Sequence, residues 1–141
     1  MRNNKLSLAK LIGIVTIVLE IAILVLLKTS FLPCLSDKAM KCHTSHDVVC
    51  FLLIGLIAFS FVDLFSNKNA SACVASMLTG IIMVISIAAI PAFVIGGCIK
   101  PEMVCNTTTY PFIYMSSVIL IIVHVIKGVI AFREAKESER K

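Results

Sequence analysis

An all-α integral membrane protein is the fold class that the sequence predicts: a four-helix bundle of two tandem transmembrane hairpins, N and C termini cytoplasmic. Three observations predict it. The 141 residues are 59% hydrophobic, with a mean hydropathy of +1.01, well above ordinary soluble-domain usage. Charged residues make up only 15% and gather at the ends and in short gaps between apolar runs. Four of those runs are long enough to cross a hydrocarbon layer about 30 Å thick, which takes roughly 20 helical residues. Residues 1–141 therefore read as a single transmembrane domain, with nothing left over for a soluble one.

The predicted spans cover residues 8–27, 48–65, 72–95 and 112–132. Helix is required because lipid satisfies no backbone group, and no ten-residue alternation suggests a barrel strand. The first span follows Arg2, Lys5 and Lys10 as a signal peptide would. Its apolar stretch is too long, however, and no small-residue cleavage site follows. Phe31-Leu32-Pro33 before Cys34 is equally poor as a lipoprotein processing site.

Orientation follows from the distribution of Lys and Arg. With both ends inside, the cytoplasmic segments carry Arg2, Lys5, Lys10, Lys68, Lys127, Arg133, Lys136, Arg140 and Lys141, against Lys28, Lys38, Lys41 and Lys100 outside. The net charge of +5 thus orients the chain in a bilayer and does not point to nucleic acid. Residues 133–141 mix both signs and read as a solvated helical tail.

Each hairpin is helix, outer loop, helix, with a tight inner turn at 66–71. The outer loops, 28–47 and 96–111, share a pattern. Cys34 is followed after five residues by Met40-Lys41-Cys42, and Cys98 after four by Met103-Val104-Cys105. Three chemistries fit this cap. Cys34, Cys42, Cys98 and Cys105 are disulfide candidates on the face where disulfides persist, with three possible pairings. Two bridges would staple the loops and leave the methionines unexplained. Alternatively, Cys34, Met40, Cys42, His43, His46, Cys98, Met103 and Cys105 offer thiolate, thioether and imidazole ligands suited to a soft transition metal such as copper, or to haem. Thr44-x-x-Asp47 resembles a capping box for helix two, which would put His43, His46 and Cys50 near one face. Finally, a cysteine pair in each outer loop resembles the membrane thiol-disulfide oxidoreductases that feed quinone. Their Cys-x-x-Cys is missing here, since Cys34 and Cys42 are eight positions apart. Asn106-Thr107-Thr108 fits a glycosylation sequon, a pattern common by chance.

Pro33-Cys34, Met40-Lys41-Cys42-His43, Gly96-Gly97-Cys98 and Met103-x-Cys105 together resemble a bacterial family of small four-helix membrane proteins, domain of unknown function 4418. Members often carry an aromatic residue after the His, where Thr44 stands here. The resemblance implies a multi-pass protein of the bacterial cytoplasmic membrane. It also implies an accessory role beside an ABC-type permease, because the family accompanies ATP-driven exporters. It carries over no enzymatic activity.

Within the spans, Glu20, His124 and Lys127 are costly at about 2.5–3.5 kcal/mol for an unpaired Lys or Asp. Counting about 1.5 Å per residue, Glu20 and His124 fall within roughly 6 Å of each other in depth. They are expected to meet either as a polar clasp or as a proton or cation relay, with Lys127 snorkelling towards the cytoplasm. Asp63 and Lys68 read as ordinary interface residues, Cys73 as a reduced packing residue, and Tyr110 and Tyr114 as interface aromatics. Ala72, Ser76, Gly80, Ala88, Ala92 and Gly96 recur every four residues, with only Val84 interrupting, and predict a ridge for close helix packing or a homo-oligomer. Pro91 is expected to bend helix three. No phosphate loop, nucleophile elbow or zinc-protease string is present.

Overall fold

The computed structural model describes residues 8–31, 41–66, 69–94 and 104–140. Four helices, each long and apolar enough to cross a membrane, follow the predicted runs: α1 (Leu8–Thr29), α2 (Lys41–Phe65), α3 (Ala70–Ala89) and α4 (Tyr110–Glu139). The protein is a multi-pass membrane protein. Each helix packs on its sequence neighbour, and α1 also packs on α4, so the four close into a ring. The start of α1, the end of α2, the start of α3 and the end of α4 lie at one end of the bundle, the terminal face, and their opposite ends lie at the loop face.

The outward surface is apolar. Val15, Val18, Phe51, Val62, Ile82, Phe93, Met115 and Val118 are all more than half exposed, as expected where lipid replaces water as solvent. Thr79 and Ser86, on the outer side of α3, turn their hydroxyls back onto the carbonyls of Ala75 and Ile82, so neither is unsatisfied in hydrocarbon.

The interior is layered by depth. Ile23 and Leu27, then Val49, Leu53 and Leu56, then Val84 and Ile87, then Ile113 and Leu120 form a continuous apolar core, all on the loop-face side. Phe31 stacks on Phe112 with centroids 4.0 Å apart and rings 10° from parallel, tying α1 to α4 near the loop face. Glu20, Ser60, His124 and Lys127 are buried below this plug, towards the terminal face, whereas the buried Ser45, His46 and Thr109 lie at the loop-face ends of their helices.

Helix three departs from the period-four ridge. Its buried line is Cys73, Gly80, Val84 and Ile87, continuing to Pro91, while Ala72 and Ala92 are exposed. Steps of four overshoot a 3.6-residue turn by about 40° each, so a strict i+4 line winds off the interface and a mixture of threes and fours stays on it. Gly96 lies outside the described residues. Pro91, which has no N–H to give to the ladder, sits in a π-helical turn, Ile90–Val94. A second π-turn, Cys105–Thr109, leads into α4 just before Pro111, so both prolines coincide with a locally widened helix.

Helix two begins at Lys41, a turn before the expected capping box. Thr44 is therefore inside the helix and caps nothing. Tyr110, expected at the membrane interface, is buried within the core, whereas Tyr114 is 38% exposed.

Candidate functional site

At the loop face, the structure separates the sequence-predicted ligands. His46 is buried, and its Nε2–H donates to the carbonyl of Leu27 at 3.1 Å. That carbonyl is in the last turn of α1, where helical acceptors lack partners, so His46 serves as a cap for the neighbouring helix. Its Nδ1 faces Asp47 at 3.6 Å, and Cys50 Sγ lies 3.9 Å from the ring. His43 turns away to solvent and pairs with Asp47 at 3.1 Å. Among the described residues no three His, Cys, Asp or Glu converge in a metal-ligating group. Cys34, Met40, Cys98 and Met103 lie outside the described residues, as does the side chain of Cys42. Cys105 is buried and is not a free thiol, whereas Cys50 and Cys73 are free.

The two histidines differ in expected energetics. His46→Ala should lose about 1–2 kcal/mol by orphaning a buried carbonyl. His43→Ala should change stability by less than about 0.5 kcal/mol, because its partner is exposed. Unfolding of both variants in a graded denaturing-detergent titration measures the difference.

At the terminal side, the structure assembles a polar layer to which all four helices contribute. Glu20 of α1 is completely buried. Its Oε1 accepts a hydrogen bond from Ser60 Oγ of α2 at 2.9 Å and lies 3.2 Å from His124 Nε2 of α4. Its Oε2 is enclosed and has no hydrogen-bond partner. One turn nearer the terminal face, Lys127 Nζ of α4 pairs with Asp63 Oδ2 of α2 at 2.7 Å, both side chains being nearly buried. Ser76 of α3 donates its hydroxyl to Asp63. Lys127 therefore does not snorkel, and Asp63 is not an interface residue. An aspartate in reach keeps the ammonium inside, because pairing offsets desolvation better than a partial climb to water.

Glycine makes the layer possible. A Cβ on Gly80 would lie 2.7 Å from His124 Nδ1, so only a residue without a side chain lets α3 approach the imidazole this closely. A cavity of about 260 Å³ enters this layer from the terminal face, walled by Lys10, Asp63, Cys73, Ser76, His124, Lys127 and Glu134 among others. Nearby, Glu134 Oε1 accepts the backbone N–H of Ala9 at 3.2 Å, closing α1 against α4.

Depth counting along the sequence found Glu20, His124 and Lys127. It missed Asp63, Ser60, Ser76 and Gly80. Asp63 did carry a signal, since an acid two residues from a helix end, level with an intramembrane lysine, is the natural counter-ion.

No curated protein and no solved structure matches the chain. The model of one family, described as Domain of unknown function (DUF4418), matches residues 16–130. That segment spans the polar layer and takes in part or all of each of the four helices, so the chain belongs to this family.

Proposed function

We propose that the chain is an accessory or structural subunit of a bacterial cytoplasmic-membrane complex, a transporter foremost. In this reading both termini are cytoplasmic and disulfides staple the outer cap. The observation that carries it is the outward side of α3. Ala72, Ala75 and Thr79 are exposed there, with the Thr79 hydroxyl already satisfied by Ala75. A stripe of small side chains facing lipid lets another transmembrane helix come close, which is how spans associate when hydrocarbon supplies no hydrophobic drive. Orientation is supported by Lys10, Arg133, Lys136 and Arg140 at the terminal face, the basic side in the positive-inside pattern. The staple is supported by Cys105, which is buried and not a free thiol.

Purification of the tagged full chain from its native membrane in mild detergent tests the partner. A stoichiometric complex is expected, and Ala75→Leu with Thr79→Leu should release it while the helix content stays the same. A monomer from native membranes, or a complex indifferent to both substitutions, sinks the reading. For the staple, alkylation followed by intact mass should show Cys34, Cys42, Cys98 and Cys105 blocked until reduction, with Cys50 and Cys73 modified once the protein is unfolded. Four outer thiols that alkylate without reductant would rule it out.

A further inference from the structure

We propose that Glu20 and His124 form an exchangeable proton-binding site, loaded from the terminal face through the cavity that His124 lines.

The buried ionisable side chains of the layer are Glu20, Asp63, Lys127 and His124. Lys127 and Asp63 cancel each other at 2.7 Å. With a neutral imidazole, the Glu20–His124 pair then carries one uncompensated negative charge deep in the bundle, where an isolated ion is costly. One added proton, carried by the Glu20 carboxylate, brings the layer to neutrality. Geometry leaves part of the negative charge unsatisfied. Glu20 Oε2 is enclosed without a partner, while Oε1 already receives Ser60 and faces His124.

Access is one-sided. His124 is 2% exposed, yet it forms part of the cavity wall while its Nε2 reaches Glu20 at 3.2 Å. Towards the loop face the way is closed by Leu27, Leu53, Leu56, Val84 and Leu120, all nearly inaccessible. An imidazole joins the two compartments because it accepts a proton on one nitrogen and releases one from the other. In the loading step an O–H bond of a hydronium ion in the cavity breaks as an N–H bond forms at Nδ1, leaving water, and the Nε2–H bond breaks as an O–H bond forms at Glu20 Oε1, 3.2 Å away. The imidazole begins and ends neutral with its tautomer exchanged, and unloading reverses both transfers. Nothing is oxidised or reduced. Gly80 leaves room beside Nδ1 that a Cβ, 2.7 Å away, would fill.

The other titratable groups around the site are Lys10 on α1, Asp63 on α2, Cys73 on α3, and Lys127 and Glu134 on α4. Of these, Asp63 and Lys127 are mutually paired, and Lys10 and Glu134 belong to the cavity mouth. A pH response of the layer must therefore be assigned to Glu20 by substitution.

The test is pH-titrated infrared difference spectroscopy of the full chain in liposomes, paired with dicyclohexylcarbodiimide, which modifies protonated carboxyl groups in apolar surroundings. A carboxylic-acid C=O band should grow as pH falls and vanish as it rises, and carbodiimide modification should follow the same titration. Both signals should be lost in Glu20→Gln, which keeps hydrogen-bonding partners for Ser60 and His124 and should retain the helical circular dichroism of the parent. His124→Gln should keep the band and slow its appearance after a pH jump. A chain without a pH-sensitive acid band overturns the proposal, as does a band that survives Glu20→Gln. A band that forms equally fast without His124 overturns the loading route.

Discussion

Asp63→Ala is expected to cost about 3–5 kcal/mol, because it leaves the buried Lys127 ammonium without its directly paired carboxylate. The pair is close, at 2.7 Å, and nearly sealed from solvent, with side-chain exposures of 11% and 6%. Solvent screening, which makes most exposed ion pairs worth little, therefore contributes little here. The loss belongs to the stranded charge more than to the attraction, so removing both partners should restore much of it. Asp63→Leu with Lys127→Met is expected to lie within about 1 kcal/mol of the parent, as apolar replacements of buried pairs often do. A double-mutant cycle from unfolding in graded denaturing detergent gives the coupling directly. Additive single and double effects would show that Lys127 has another way to satisfy its charge. Ser76, which donates to Asp63, loses its acceptor in either variant and sets a small common offset.

Gly80→Ala is expected to cost about 1–3 kcal/mol through overpacking, against the usual gain of replacing a mid-helix glycine by alanine. The added methyl would lie 2.7 Å from His124 Nδ1 and 3.0 Å from its Cε1. A ring that turns away from the added methyl does so at the expense of its 3.2 Å contact with Glu20. The variant should therefore lose stability and, at the same time, the Glu20–His124 contact, which is visible as a shift of the His124 imidazole resonances. Gly55 supplies the control. A Cβ there meets only the end of Met83 at 3.7 Å, so Gly55→Ala should be neutral or slightly stabilising in the same titration. Equal effects at the two glycines would mean that helix propensity, and not the approach to His124, decides the outcome.

Some features were legible along the chain because they depend on one helix at a time. Span number and position follow from run length against the thickness of hydrocarbon, and all four runs became helices. Two helices continue well past their apolar runs, α2 beginning at Lys41 and α4 reaching Glu139. Hydropathy marks where lipid begins, whereas a helix continues into polar sequence until its hydrogen bonds find no further partners. The meeting of Glu20 and His124 was legible for a similar reason, since depth can be counted from each end at a fixed rise per residue.

What depth cannot supply is azimuth. Ser60, Asp63, Ser76 and Gly80 join the layer because the ring of helices turns those particular faces inward, and that depends on how every neighbour packs. For the same reason His46 became a cap on the Leu27 carbonyl while His43, three residues earlier, faces solvent.

The sequence by itself determined that this protein is a four-span membrane protein with costly polar residues in its first and last spans, because hydropathy and rise are properties of single segments. Only the tertiary structure decided that those residues form one paired layer, closed by leucine and valine towards the loops and reached by a cavity from the termini. Burial and pairing of charge are set jointly by four helices, and no one of them carries that information alone.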